Sequence, residues 1–243
     1  MKKDWCGDDF KTMVALGEST TAGGWSTDPD RCWVPLLGRL INDFQSTPMK
    51  VINSGIGANV ISAQSPACEK SGKPAADERL DKHVIAHQPD LLVISYGLND
   101  ARGGTPIGFF QEKLVAIVHS VREHLDPVIM LPGPYYMYDF TLGGPTWSHA
   151  DQARFTQFNA AIASVADTQA CLYADLLAAI GDTDWMVHDD GVHQNDLGHR
   201  IVANRMFEVL AQHCSCLAKR TKVAEKNSPL WRDESTLRAD YGY

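Results

Sequence analysis

The sequence predicts an α/β fold built around a parallel, doubly wound sheet. Short β-rich runs alternate with segments of helical periodicity, and four of the five runs are almost continuously apolar. Alternation of strand and helix implies βαβ crossovers. Continuous apolar strands are expected when those crossovers put helices on both sheet faces. The residues able to do chemistry fall just beyond the ends of such runs, where open α/β sheets bind their ligands.

The first strand is expected over Lys11–Gly17 and the second over Met49–Gly55, with helical periodicity at Trp33–Phe44 between them. Ala76–His87 repeats the helical pattern before a third strand at Asp90–Gly97. Pro106–Leu125 follows, with Pro106 suited to a first helical turn and Thr105 to its N-cap. Pro127–Gly133 and Cys171–Leu176 read as the fourth and fifth strands, separated by a helix at His149–Ala166. Asn195 to Gln212 reads as the last helix, with Asn195 capping it and Ile201, Val202, Met206, Val209 and Leu210 along one stripe. Residues 132–150 form a long aromatic loop, and 217–243 form a polar tail containing Pro229, Trp231 and Tyr241-Gly242-Tyr243. Residues 1–216 are therefore expected to be one domain and 217–243 an extension, either disordered or packed on its own domain or on a second copy.

Composition narrows the functional classes. At 243 residues the chain can bury roughly 70–75% of its unfolded surface as one domain. A net charge of −8 argues against nucleic acid, whose phosphates need clustered Lys and Arg. No segment approaches the ~20 apolar residues of a membrane span. The start carries Lys2 and Lys3 but no apolar stretch of signal-peptide length. The six cysteines are scattered without zinc-type pairing, and Cys214-Ser215-Cys216 is too tight for a disulfide between its own members. Free thiols in a reducing compartment follow, and a cytoplasmic location is expected.

Ser19 follows the apolar run Val14-Ala15-Leu16-Gly17. A hydroxyl placed at a sharp strand-to-helix turn can act as a nucleophile if a base takes its proton; by itself it also fits a helix N-cap. Asp190-Gly191-Val192-His193 supplies that base: Asp at i and His at i+3 can join the carboxylate to Nδ1 and leave Nε2 for the serine. Asp196-Leu197-Gly198-His199 has the same spacing but begins a helix, where Asp196 is better explained by capping and the macrodipole. Asn99, in Gly97-Leu98-Asn99-Asp100, can donate a side-chain amide to an oxyanion. A second donor is expected from a backbone N–H at Gly57 or Ala58, in the turn after the second strand.

Together these segments resemble the four blocks of the SGNH (GDSL-type) hydrolase superfamily. Ala15-Leu16-Gly17-Glu18-Ser19 resembles the nucleophile block and Asn53-Ser54-Gly55-Ile56-Gly57-Ala58-Asn59 the oxyanion-glycine block. Gly97-Leu98-Asn99-Asp100 matches the G-x-N-D block and Asp190 to His193 the D-x-x-H block. The resemblance spans about residues 11–211. Glu18 stands where the name-giving motif has Asp, and either Gly57 or Ala58 stands at the oxyanion glycine. The resemblance implies a three-layer α/β/α, flavodoxin-like sandwich with strand order 2-1-3-4-5. It also implies an esterase or lipase-like serine hydrolase that uses no metal. Ser19 would be the nucleophile, His193 the base and Asp190 its orienter; Ser19, Gly57 or Ala58, and Asn99 would form the oxyanion hole.

Two other readings use the same residues differently. His188, Asp189, Asp190, His193, Asp196 and His199 are a dense run of metal-ligand types, but no second cluster completes a site and Ser19 and Asn99 would be idle. A non-catalytic module that kept the scaffold is the other. No cofactor or metal is expected. Trp25, Arg102, Tyr135 and Trp147 are the candidate substrate-binding residues, since aromatic walls suit an apolar acyl chain or a sugar ring. With no long apolar lid, a short acyl or acetyl ester of a small or carbohydrate alcohol is the expected substrate. The tail is a candidate contact for homo-oligomerisation.

Overall fold

Five parallel strands form one sheet in the order β2-β1-β3-β4-β5 in the computed structural model, which describes residues 3–228 and 234–242. They are β1 (Thr12–Gly17), β2 (Lys50–Gly55), β3 (Leu91–Ser95), β4 (Val128–Pro132) and β5 (Leu172–Ala174). Of the tail residues named above, Pro229, Trp231 and Tyr243 lie outside the described residues.

Strand order and chain order together place the helices. From β1 the chain moves one way to β2, then returns past β1 and steps outward through β3, β4 and β5. Right-handed crossovers in opposite directions put their helices on opposite faces. The helices Trp33–Asn42 and Asp196–His213 accordingly pack on each other, as do Ile107–Arg122 and Gln152–Thr168. Apolar side chains of β1, β3 and β4 are sandwiched between these layers: Val14, Leu16, Leu92, Val93, Ile129 and Met130 have no exposed surface.

The register brings the strand ends level at the site. Gly17 pairs with Gly55 on one side and with Ser95 on the other. Gly55 is required by close approach, because a β-carbon there would run into the backbone of Thr21 and Ala22, in the turn that carries Ser19.

Three expectations are corrected. Residues 76–87 form no continuous helix but two 3-10 turns (Ala76–Glu78 and Ile85–His87) around a four-residue helix, Leu80–His83. The backbone N–H groups of Ala76 and Asp77 donate to Val60 and Ile61 carbonyls, so a crossing loop captures the first turn. Thr105 is not the N-cap of the helix at Ile107–Arg122; Pro106 holds that position, and the Thr105 hydroxyl donates to Asp100 at 3.1 Å. The fifth strand shrinks to three residues. Asn195 does cap the last helix of the domain, accepting from the N–H groups of Leu197 and Gly198.

The extension forms two helices, Cys216–Asn227 and Ser235–Tyr241. The first leans on its own domain through Lys219 to Asp8 (2.9 Å) and Arg220 to the Asp43 carbonyl (3.4 Å). Among the described residues no helix is long and apolar enough to cross a membrane.

Candidate active site

β1 ends at Gly17, Glu18 stays extended, and Ser19 opens a single helical turn, Ser19–Ala22. Ser19 is thus the first helical residue and not the cap. It is 4% exposed, so its hydroxyl points into the molecule.

The Asp190–His193 bend closes on it from the far end of the chain. Gly191 takes φ 74°, and a β-carbon there would meet Asp139 and Tyr138. Its carbonyl instead accepts from the N–H groups of Tyr138 and Asp139, at 2.9 Å each. The bend lets Asp190 Oδ1 accept from the N–H groups of Val192 and His193, both at 3.0 Å. Asp190 Oδ2 lies 2.6 Å from His193 Nδ1, and His193 Nε2 lies 2.9 Å from Ser19 Oγ. This continuous line of three groups is able to draw a proton off the hydroxyl.

Electrostatics suits that use. Burial pushes the Asp190 carboxyl up, but the hydrogen bonds from His193 and Val192 outweigh it and hold the group below its ordinary value. Burial also lowers His193 below its ordinary 6.5, against the opposing pull of Asp190, so the imidazole is a neutral base at pH 7. The Trp25 indole lies on the His193 ring, centroids 3.3 Å apart and planes 5° apart. Expected to meet substrate, Trp25 also covers the base.

Across the site, Asn99 sits in the helix Leu98–Arg102 after β3. Its Nδ2 donates one hydrogen to the Asn59 carbonyl at 3.1 Å, leaving the other for the cavity it lines. Ala58 lines the same cavity and holds φ 55°, a left-handed conformation that costs a non-glycine residue roughly 1–2 kcal/mol. Gly57 lies beside it, where a β-carbon would fall 4.0 Å from Ser19 Cβ, and its carbonyl accepts from Lys73 Nζ at 2.7 Å.

Two supports of this wall escape a reading of the sequence. Glu18 is buried, and its carboxylate accepts from the N–H groups of Leu98 (3.0 Å) and Asn99 (2.8 Å). It therefore ties the Ser19 turn to the Asn99 helix. Burial, reinforced by Asp100, raises its pKa to about 8. Arg79 is buried without an ion-pair partner among the described residues; it donates to the Ser54 carbonyl and to Tyr96 Oη, which in turn reaches Asn59 Oδ1 at 2.6 Å. Tyr96 stands three residues before Asn99 in the sequence, and no local signal marks Arg79.

A cavity of about 180 Å³ opens over Ser19, Asn99 and His193, walled by Trp25, Arg102, Leu142 and Trp147, with Ala58 and Gly143 completing it. Tyr135, expected to meet substrate, is 3% exposed in the core and does not line this cavity, and its hydroxyl is buried without a partner among the described residues. The rest of the aromatic loop packs inward or faces solvent: Phe140 meets Phe155 edge-on, Tyr136 donates to Asp184, and Tyr138 is exposed.

The second Asp-x-x-His pair is engaged elsewhere. Asp196 accepts from Thr27 and Arg31, and buried His199 accepts from the Trp33 N–H at 3.4 Å, its pKa lowered by burial to about 4. Among the described residues no three His, Cys, Asp or Glu side chains gather as a metal site.

Residues 15–201 match the model of the GDSL-like lipase/acylhydrolase family. No curated protein matches the sequence significantly. Among solved structures, the lipase/acylhydrolase from Enterococcus faecalis superposes with a TM-score of 0.66 at 22% identity, over 83% of this chain and 96% of that one. Axe2, an acetylxylan esterase from Geobacillus stearothermophilus, gives 0.63 at 18% identity, over 84% and 95%. LAE5, an α/β hydrolase from the metagenome of Lake Arreo, Spain, gives 0.64 at 18%, over 88% and 98%. At these identities the structures speak for the fold, and the family match speaks for the chemistry. The chain belongs to the GDSL-like lipase/acylhydrolase family and is a carboxylic ester hydrolase.

Proposed function

We propose that the protein cleaves short-chain acyl or acetyl esters through an acyl-enzyme on Ser19. The hydrogen-bonded line Ser19–His193–Asp190, with 2.9 and 2.6 Å steps, carries this reading. His193 Nε2 takes the Ser19 proton as Oγ attacks the ester carbonyl, and Asp190 holds the imidazole in the tautomer that can accept it. The oxyanion then rests on the second Nδ2 hydrogen of Asn99 and on the backbone N–H groups of Ser19 and Ala58. His193 returns the proton to the departing alcohol. Water, deprotonated by the same imidazole, releases the acid.

Cavity size supports a short acyl group. About 180 Å³ lies below the roughly 300–1,000 Å³ of drug-sized ligand pockets, and so favours an acetyl group or its near homologues over a long chain. The Trp147 indole in the cavity wall supports a carbohydrate alcohol as a second reading, because a flat aromatic face stacks on a sugar ring. The six free cysteines favour a reducing, cytoplasmic setting.

A series of p-nitrophenyl esters from acetate to dodecanoate, with acetylated xylooligosaccharides alongside, tests this reading. Turnover is expected to peak at the shortest chains and to vanish in Ser19→Ala. Preference for the longest esters, or full activity in Ser19→Ala, would overturn it.

A further inference from the structure

The proposed reaction leaves one cation in the cavity wall without a task. Arg102 is 5% exposed yet borders the cavity beside Ser19, Asn99 and His193. Its Nη2 donates to the Leu142 carbonyl, while Nε is buried with no partner among the described residues. Among the described residues no carboxylate pairs with it.

The acidic groups whose charge reaches Arg102 are Glu18, Asp139 and Asp190, and each is committed elsewhere. Asp139 accepts from Thr141 and Leu142. Asp190 serves Val192 and His193, and Glu18 serves Leu98 and Asn99. Burial also raises the Glu18 pKa to about 8, which weakens it as a counter-charge to Arg102. A guanidinium taken out of water without a touching counter-ion is costly, and its N–H groups donate strongly to a carboxylate.

We infer that Arg102 determines specificity by receiving a carboxylate carried by the ester, so that the preferred substrates are small esters bearing one negative charge. This rests on the Ser19 esterase reading above. The charge could be carried on the acyl or the alcohol side, and the cavity admits a small group on either.

Charge-only substrate pairs decide it. Monomethyl succinate against methyl succinamate tests the acyl side, and O-acetyllactate against O-acetyllactamide the alcohol side. Wild type, Arg102→Gln and Arg102→Lys are compared by kcat/KM, with Ser19-dependent turnover of p-nitrophenyl acetate as the control. Wild type is expected to prefer the carboxylate member of at least one pair by about tenfold or more, as a charged hydrogen bond would give. That preference is expected to weaken with added salt. The carboxylate-to-amide ratio falls about tenfold in Arg102→Gln and less in Arg102→Lys, whatever happens to absolute rates. No preference in wild type for either pair overturns the inference without reference to any variant, as does an unchanged ratio in both variants. Equal loss on both members would mean that Arg102 only anchors the Leu142 turn. If p-nitrophenyl acetate itself is not turned over, the esterase reading fails and this inference with it.

Discussion

The Trp25 indole lies flat against the His193 imidazole, with centroids 3.3 Å apart. One face of the proposed base is thereby closed to water by a ring from the loop that follows the nucleophile. Burial is the leading cause that lowers the His193 pKa, so the stack bears on when the base is free as well as on where it points.

Replacing Trp25 by Ala should lower kcat by roughly two- to tenfold, the value of one well-placed aromatic pair. It should also move the acid limb of kcat/KM upward. The sign follows from the charge: a lowered pKa keeps His193 neutral below pH 6.5, and activity is lost as pH falls through that lowered value. Water readmitted to the ring returns the pKa toward 6.5. A pH–rate profile that shifts downward would instead mean that the indole stabilises the imidazolium.

Glu18 should act through Asn99. Glu18→Ala leaves the N–H groups of Leu98 and Asn99 without their acceptor, which costs about 1–3 kcal/mol for each buried donor. It should also lower kcat by loosening the Asn99 amide. Asn99→Ala alone should lower kcat about 100-fold or more. In a double-mutant cycle, Glu18→Ala should then add little to Asn99→Ala. Additive losses in kcat would separate the two residues.

The same carboxyl should mark the stability curve. Its folded pKa, about 8, is raised from 4.5, so the folded state holds that proton more tightly and stability declines as pH rises from about 4.5 to 8. His199 works the opposite way, since a pKa lowered from 6.5 to about 4 costs stability as pH falls through that window. Thermal melts at pH 6 and pH 8 should differ less for Glu18→Gln than for wild type. An equal difference would show that Glu18 does not titrate there.

Asp196→Ala should lower the melting temperature by releasing Thr27 and Arg31 while leaving kcat near wild type. A collapse of kcat without loss of stability would return the second Asp-x-x-His pair to consideration.

Much of this site is readable in the sequence, because its chemistry sits in short local patterns at predictable places. Strand ends located Ser19 and Asn99, and the three-residue spacing of Asp190 and His193 with glycine between them encodes its own bend. What sequence spacing cannot encode are contacts between distant segments. Glu18 reaching Leu98, Arg79 reaching Tyr96, and Trp25 reaching His193 depend on which loops meet above the sheet. The broken segment at 76–87 failed for the same reason: its helical period is real, but carbonyls of Val60 and Ile61 compete for its first N–H groups. Tyr135 lies in the core and not at the cavity, a difference the sequence does not carry because an aromatic in a long loop looks the same in either place.

The most direct test is to treat the protein with a serine-directed aryl phosphonate and locate the adduct by mass spectrometry of its peptides. The adduct is expected on Ser19, in step with loss of ester hydrolysis, and absent from Ser19→Ala. Complete inhibition with the label on another residue, or an unlabelled Ser19 in an inactivated enzyme, would contradict the account.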